Sequence, residues 1–214
     1  MIRKLLLLSC AAAAMVAAQT RTLDIYWIDV EGGAATLIVS PTGQSLLVDA
    51  GNPGPDDRDP KRIFAVAQMA GLRKIDLLLT THFHVDHAGG TPALAKLIPV
   101  ERYFDHGDSI ETTSFAAQLF TAYKSVAEGK RTTVKPGDRI PLAGVTVEVV
   151  SANGTVLSKP INGGGPNPFC AGAKTHDPDA TENQRSAGDR AHGAPAKPVY
   201  PLRDLCGWTG NQII

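Results

Sequence analysis

The sequence predicts a mixed α/β (α+β) domain that begins with strands and continues with helices and strands in alternation. Residues 22–50 contain three short runs rich in β-branched and aromatic residues, separated by turn residues. Residues 74–81 (KIDLLLTT) have a continuous apolar centre, which is typical of a strand covered on both faces. Helix-like segments lie on both sides of that run, so the helices are expected to cover the sheet.

The first segments predict an antiparallel meander followed by a helix. Strands are expected over residues 22–29, 34–40 and 45–50, with the first turn at Glu31-Gly32-Gly33. After a loop rich in Gly, Pro and Asp, a helix is expected over residues 61–70. Gly71 follows at the position where helices often end on a left-handed residue.

The alternation continues beyond the apolar strand and then stops. The remaining predicted elements are helices over residues 91–97 and 111–128 and strands over residues 100–104, 139–142 and 145–151. From residue 152 onward no convincing apolar periodicity is found. Such a long irregular stretch is unusual inside a compact domain.

The N-terminal residues predict an export signal at residues 1–18. Arg3 and Lys4 precede a largely apolar run that is shorter than the roughly 20 residues of a transmembrane helix. Small residues before Gln19 predict cleavage there, so a periplasmic or secreted protein is expected. Ordinary secretion is favoured over lipid attachment at Cys10, because the apolar stretch before Cys10 is short, and an uncleaved membrane anchor is the third alternative.

Composition gives little indication of a partner. The chain has 21 basic and 21 acidic residues, and this balance does not support a nucleic-acid or membrane-surface partner. Removal of the signal would leave Cys170 and Cys206, which lack the spacing of a zinc site. A disulfide between them is left open.

The residues that carry chemistry follow the apolar strand directly. Within six positions, three of the chain's six histidines and one aspartate occur in His82-Phe83-His84-Val85-Asp86-His87. Imidazole suits zinc and related cations, and a carboxylate adds a charged oxygen ligand. His82 and His84 alternate in an extended segment, and Gly89-Gly90 permits a tight turn after them. The pattern predicts a metal site at the carboxyl end of the strand.

His-x-His-x-Asp-His after an apolar strand, with Asp49-Ala50-Gly51 at the end of an earlier strand, resembles the metallo-β-lactamase superfamily. Residues 27–35 (WIDVEGGAA) and Asp105-His106-Gly107 are more similar to the branch related to competence-type DNA-uptake hydrolases. The resemblance implies a four-layer αββα sandwich. It also implies a metal-dependent hydrolase of an ester, amide or phosphodiester bond, acting on a small molecule or a phosphodiester.

The resemblance further implies a role for each residue of the loop. His82 and His84 match ligands of a first metal, and Asp86 and His87 match ligands of a second, with Asp86 also near the attacking water. Zinc is the expected metal, with iron or manganese as alternatives. Asp49 matches an aspartate that supports the loop by hydrogen bonds. For His106, a substrate or metal contact and a structural loop histidine are equally weighted, whereas the other two histidines, His176 and His192, are expected to be solvated.

The second half departs from the family pattern. A bridging Gly-Asp after a buried strand and a further histidine are expected, and neither is clear. Gly188-Asp189 is rejected as the bridging aspartate because no apolar strand precedes it. The expected domain therefore covers residues 19–186, with an irregular tail at 187–214 and a sandwich that is incomplete at the C-terminus. The hypothesis for this tail is translation out of frame, which sequencing of the encoding DNA would test.

Two alternatives to an active hydrolase follow. The first is a metal-binding protein without catalytic activity, which lacks the ligands of the second half. The second is a redox or oxygen-handling protein with iron in the same fold, which would need carboxylate ligands and a flavin partner that the sequence does not indicate. A nucleic-acid-binding module has the least support.

Overall fold

A computed structural model describes residues 22–159 and 180–192 of the 214-residue chain. The predicted signal peptide, all three cysteines, His176 and the tail from residue 193 lie outside these residues. No helix within residues 22–159 and 180–192 combines the length and the apolar character needed to span a membrane.

The described residues form ten strands and four helices. The strands are β1 (Asp24–Trp27), β2 (Thr36–Val39), β3 (Ser45–Val48), β4 (Ile75–Leu79), β5 (Val100–Asp105), β6 (Arg131–Thr133), β7 (Arg139–Ile140), β8 (Thr146–Ala152), β9 (Thr155–Val156) and β10 (Gly188–His192). The helices are α1 (Arg58–Met69), α2 (Val85–Ala88), α3 (Thr91–Leu97) and α4 (Ser114–Ala127). Short 3-10 turns occur at Pro55–Asp57 and Glu182–Arg185.

The strands form two sheets. The first has the order β1-β2-β3-β4-β5-β6, antiparallel from β1 to β3 and parallel from β3 to β6. The second is antiparallel, with β8 between β10 and β7 and with β9 also paired to β8. The predicted meander and the predicted covered strand are confirmed by this topology.

Successive side chains on the strands of the first sheet point to opposite faces, so the sheet contributes to two cores. On β4, Leu78 faces the helices whereas Leu77 and Leu79 face the second sheet. Both faces of this strand are therefore buried, as the apolar run predicts. Each of the four helices contributes to the core on the helix side, through Ile63, Ala88, Leu94 and Tyr123. The core between the sheets is completed by side chains of the second sheet such as Val147 and Val149.

The described residues therefore supply three of the four layers of an αββα sandwich: helices, first sheet and second sheet. All four described helices pack on the first sheet, so none of them covers the outer face of the second. This arrangement agrees with the predicted fold class.

Several elements differ from the sequence prediction. Residues 85–88, to which the sequence assigns no helix, form one helical turn, because the N–H groups of His87 and Ala88 both donate to the His84 carbonyl. The sequence does not predict β6 or β9, since each is only two or three residues long and gains its order from pairing. The prediction that residues 187–214 are irregular is wrong for residues 188–192, which pair with β8 as β10.

Candidate metal centre

The histidine-rich loop leaves the carboxyl end of β4 and is held by backbone hydrogen bonds on three sides. The Ala50 N–H, just after β3, donates to the His87 carbonyl at 2.8 Å, and the Ala34 N–H donates to the Asp86 carbonyl at 3.1 Å. The Ala187 N–H, just before β10, donates to the Thr81 carbonyl at 2.7 Å. Both sheets therefore fix the path of the loop.

His82 and His84 present one donor pair. The Nε2 atom of His82 lies 3.2 Å from the Nδ1 atom of His84, and the two rings meet edge to face. Their outward nitrogens have other partners: His82 Nδ1 lies 3.1 Å from the Thr81 hydroxyl, and His84 Nε2 lies 3.5 Å from a Glu111 carboxylate oxygen. In metal-binding histidines the second ring nitrogen usually faces an oxygen partner, and the outward nitrogens of both rings do so here.

Asp86 and His87 present a second donor pair. His87 Nε2 lies 3.6 Å from Asp86 Oδ2, while His87 Nδ1 lies 2.8 Å from Asp49 Oδ2. Asp49 also accepts hydrogen bonds from both the backbone N–H and the hydroxyl of Thr81, each at 2.7 Å. One buried carboxylate thus orients His87 and fixes the start of the loop.

Asp49 adopts an unusual backbone conformation. Its φ of 60° lies in the left-handed region, which costs a non-glycine residue conformational energy. Its side chain is almost fully buried and is hydrogen-bonded to Thr81 and His87. These hydrogen bonds hold the strained conformation, and they engage both carboxylate oxygens of Asp49 within the protein.

Burial and neighbouring charges set the protonation of the loop histidines. Burial, together with the nearby His87, lowers the pKa of His82 to about 4, so its ring is neutral near pH 7. Burial alone would lower the pKa of His87, but the hydrogen bond to Asp49 and the charges of Asp49 and Asp86 raise it. A neutral ring is the form that binds metal, so burial favours the metal-binding form of His82, whereas the carboxylates beside His87 favour its protonated form.

These residues fit a divalent cation in donor type. Imidazole nitrogens and a carboxylate are the ligands that zinc takes in catalytic sites. Within residues 22–159 and 180–192, however, no group of three or more His, Cys, Asp or Glu side chains meets at one metal position. The donors instead form two pairs, one from His82 and His84 and one from Asp86 and His87.

Comparison with known proteins identifies the family. The model of the metallo-β-lactamase superfamily matches residues 28–170, which include β2 to β9 and the entire histidine-rich loop. The chain belongs to the metallo-β-lactamase superfamily. Its placement nearer the competence-type branch stays a prediction.

Relatives in this superfamily include proteins described as UPF0173 metal-dependent hydrolases. The one from Cupriavidus taiwanensis is 33% identical over 141 residues, which are 61% of this chain and 46% of the relative. The one from Thermodesulfovibrio yellowstonii is 27% identical over 184 residues, which are 77% of this chain and 63% of the relative. The chain spans about half the length of the curated relatives it matches.

Among solved structures, the metallo-β-lactamase SMB-1 bound to 2-mercaptoethanesulfonate is similar at 21% identity with a TM-score of 0.45. The match covers 63% of this chain and 52% of that structure.

His106 is fully buried in this family member. Its Nε2 atom lies 2.8 Å from Glu182 Oε1, and its ring packs 5.1 Å from that of Phe83. A side chain without exposed surface has no access to a substrate in solution, so of the two equally weighted alternatives the placement favours the structural histidine over a substrate contact. The N–H of the following Gly107 donates to Asp105 Oδ1 at 2.9 Å and forms an Asx-type turn.

Glu182 is a residue of the site that the sequence did not single out. It is fully buried and accepts hydrogen bonds from His106 and from the backbone N–H groups of Phe83 and Ile110. Burial alone would raise the pKa of Glu182, but these three hydrogen bonds lower it. In the sequence, Glu182 begins the segment 182–186 (ENQRS), which resembles the family, whereas the residues after it do not. That resemblance is the only sequence signal for Glu182.

Asp189 occupies β10, where the sequence predicts no strand. Burial, followed by the charge of Asp49, raises the pKa of Asp189 to about 6. Its rejection as a bridging ligand stays a prediction.

Proposed function

We propose that this chain is an exported metal-dependent hydrolase that cleaves an ester, amide or phosphodiester bond, with zinc held by His82, His84, Asp86 and His87. The observation that carries the proposal is the arrangement of two donor pairs. In these pairs the outward nitrogen of each histidine already faces an oxygen partner. His82 Nε2 and His84 Nδ1 form one pair 3.2 Å apart, and His87 Nε2 and Asp86 Oδ2 form the other. The rings of His82 and His87 lie 4.0 Å apart, so the two pairs are adjacent.

Bound divalent cations would supply an activated water nucleophile near neutral pH and stabilise the anionic transition state. The residues of the chain contribute orientation and proton transfer. The Asp86 side chain is 39% exposed, which is more than the 33% of His84 and the 23% of His87. Its carboxylate is therefore placed to meet solvent and to accept a proton from the attacking water.

The substrate is proposed only by class, as a small molecule or a phosphodiester. The overall charge balance of the chain favours neither a nucleic acid nor a membrane surface as partner. Export is proposed from the basic and apolar residues at positions 3–18. Fractionation of producing cells would test export, and recovery of the chain in the cytoplasm with its first residues retained would contradict it.

The function is tested by metal content and hydrolysis. Plasma mass spectrometry of the purified protein is expected to find about two zinc ions per chain, and His84→Ala is expected to lose metal from the first pair. The same preparations are then screened with chromogenic lactam, phosphodiester and lactone substrates. Hydrolysis that disappears in His84→Ala and after chelation supports the proposal, whereas a metal-loaded chain without turnover contradicts it.

The second candidate function is metal binding without catalysis. The observation that favours it is that, in the part of the chain that the structure describes, no third donor joins either pair. A catalytic zinc site normally has three protein ligands. One zinc ion or none per chain, with no turnover, is the result expected for this candidate.

A further inference from the structure

Glu182 links three segments of the chain through one buried carboxylate. Its Oε1 atom accepts hydrogen bonds from His106 Nε2 at 2.8 Å and from the Phe83 N–H at 3.2 Å. Its Oε2 atom accepts from the Ile110 N–H at 3.0 Å. The side chain of Glu182 is 0% exposed, so water does not compete for these bonds.

Two of these donors belong to residues that precede His84 and its ring partner Glu111 in the sequence. The Phe83 N–H belongs to the residue between His82 and His84. The Ile110 N–H belongs to the residue before Glu111, whose carboxylate faces His84 Nε2 at 3.5 Å. Glu182 therefore holds the backbone next to His84. It also holds the backbone next to Glu111, whose carboxylate faces the His84 ring.

The position of His84 also affects the second donor pair. The His84 carbonyl accepts from the N–H groups of His87 and Ala88 and so begins α2, the helical turn that presents Asp86 and His87. A displacement at Phe83 would therefore move all four donors. The remaining contact of Glu182, with His106, uses a ring that packs against Phe83 and fixes its side chain.

We propose that Glu182 is a positioning residue of the metal centre, which sets the geometry of His84 and its neighbours through the Phe83 and Ile110 amides. The inference rests on the proposed function, because it concerns the same metal ligands. Residues that hold metal ligands in place through hydrogen bonds typically change metal affinity about 10–100-fold when they are altered.

The test is Glu182→Gln, with zinc affinity measured by competition with a chromogenic chelator. The carboxamide has one oxygen and one NH₂ group, so in either orientation its NH₂ faces a backbone N–H of Phe83 or Ile110. One of the two amides then loses its acceptor in a buried site. Zinc affinity is expected to fall about 10–100-fold, measured at a temperature where the metal-free proteins are folded.

Two control variants separate positioning from general destabilisation. Val149→Ala removes buried volume in the core between the sheets, away from the loop, and is expected to lower stability without changing zinc affinity. Glu128→Gln makes the same chemical change at an exposed residue and is expected to change neither the stability nor the zinc affinity. If Glu182→Gln loses only as much affinity as Val149→Ala, the proposal is overturned.

A measurement on the unmodified protein covers the case in which Glu182→Gln does not fold. Because coupling is reciprocal, zinc binding must strengthen the hydrogen bonds that favour it. Hydrogen exchange followed by NMR is expected to show slower exchange of the Phe83 and Ile110 amides with zinc than without it. Zinc binding that leaves both rates unchanged would overturn the inference alone, whereas failure of the unmodified chain to bind zinc would overturn the proposed function itself.

Discussion

At the scale of single residues, the proposed metal centre depends on which nitrogen of each histidine carries its proton. Asp49 accepts from His87 Nδ1 and thereby leaves His87 Nε2 facing Asp86. The Thr81 hydroxyl donates to Asp49 and stands 3.1 Å from His82 Nδ1, so the same carboxylate indirectly orients His82. A change of one atom at Asp49 should therefore affect metal binding more than folding.

Asp49→Asn is expected to weaken zinc binding about 10–100-fold. An NH₂ group facing His87 would donate to Nδ1 and move the ring proton to Nε2, the nitrogen that faces Asp86. Competitive zinc titration checks this expectation. The matched control is Asp76→Asn, since Asp76 accepts hydrogen bonds from Ser45 near the other end of β4. Equal zinc affinity in Asp49→Asn and the unmodified chain would show that the tautomer of His87 does not matter.

Asp189 should make stability depend on pH in the metal-free protein. Its pKa in the folded chain is about 6, against an ordinary value of 3.8. Between these values the folded chain holds a proton that the unfolded chain has released, so the free energy of unfolding falls as pH rises. The loss above pH 6 is about 1–3 kcal/mol.

Asp189→Asn removes this titration and is expected to raise the melting temperature at pH 7.5 by a few degrees but to leave it unchanged at pH 4. Thermal unfolding of chelator-treated protein measures the effect. Asp56→Asn, a change at an exposed residue, serves as the control and should not alter the pH profile. A mutant that is no more stable than the unmodified chain at pH 7.5 would contradict the expected cost of the buried charge.

At the scale of elements, the turn between β1 and β2 must lie directly against the histidine-rich loop. A Cβ atom on Gly33 would stand 2.3 Å from the Asp86 carbonyl oxygen, and one on Gly90 would stand 2.1 Å from the Ala50 carbonyl oxygen. Arg58 and Arg62 both pair with Glu31 and hold this turn in place. The turn predicted at Glu31-Gly32-Gly33 is thus also part of the rim of the site.

Gly33→Ala is expected to push the turn away from Asp86 and to reduce zinc affinity, at a stability cost of about 1–3 kcal/mol. Gly32→Ala is the matched control, because Gly32 has open space around it and only its φ of 81° is unfavourable for alanine. That change should cost about 1–2 kcal/mol while zinc affinity stays the same. Similar zinc affinities for the two variants would show that contact with the Asp86 carbonyl does not position the ligand.

Most of the first sheet could be predicted from the sequence because its pattern is local. The apolar centre of β4 and the helix over residues 91–97 are visible in a short window, and both are observed. β6 and β10 could not be predicted, since their residues (RTT and GDRAH) have no strand pattern and gain order only by pairing with β5 and β8. In the same way, the metal loop is evident from its spacing, whereas the contacts of Glu182 depend on a fold that brings residues 83, 106 and 110 together.

At the scale of the whole molecule, the two cores are supported unequally. The first lies between a six-stranded sheet and the helices, and β4 has hydrogen-bonded neighbours on both edges. The second lies between that sheet and a smaller one whose strands β7 and β9 have only two residues each. Regions with fewer buried contacts open locally at lower free energy than the rest of a fold. The second sheet should therefore open before the first.

Hydrogen exchange with mass spectrometry is expected to show slower exchange for residues 75–79 of β4 than for residues 146–152 of β8. Two substitutions test whether the sheets open separately. Leu78→Ala, in the core on the helix side, should lower the free energy of unfolding by about 2–5 kcal/mol and accelerate exchange throughout the described strands. Val149→Ala, between the sheets, should accelerate exchange mainly in β7 to β10. If Val149→Ala accelerates β4 as strongly as β8, the two sheets unfold as one unit, and the metal loop shares the stability of the second sheet rather than that of the first.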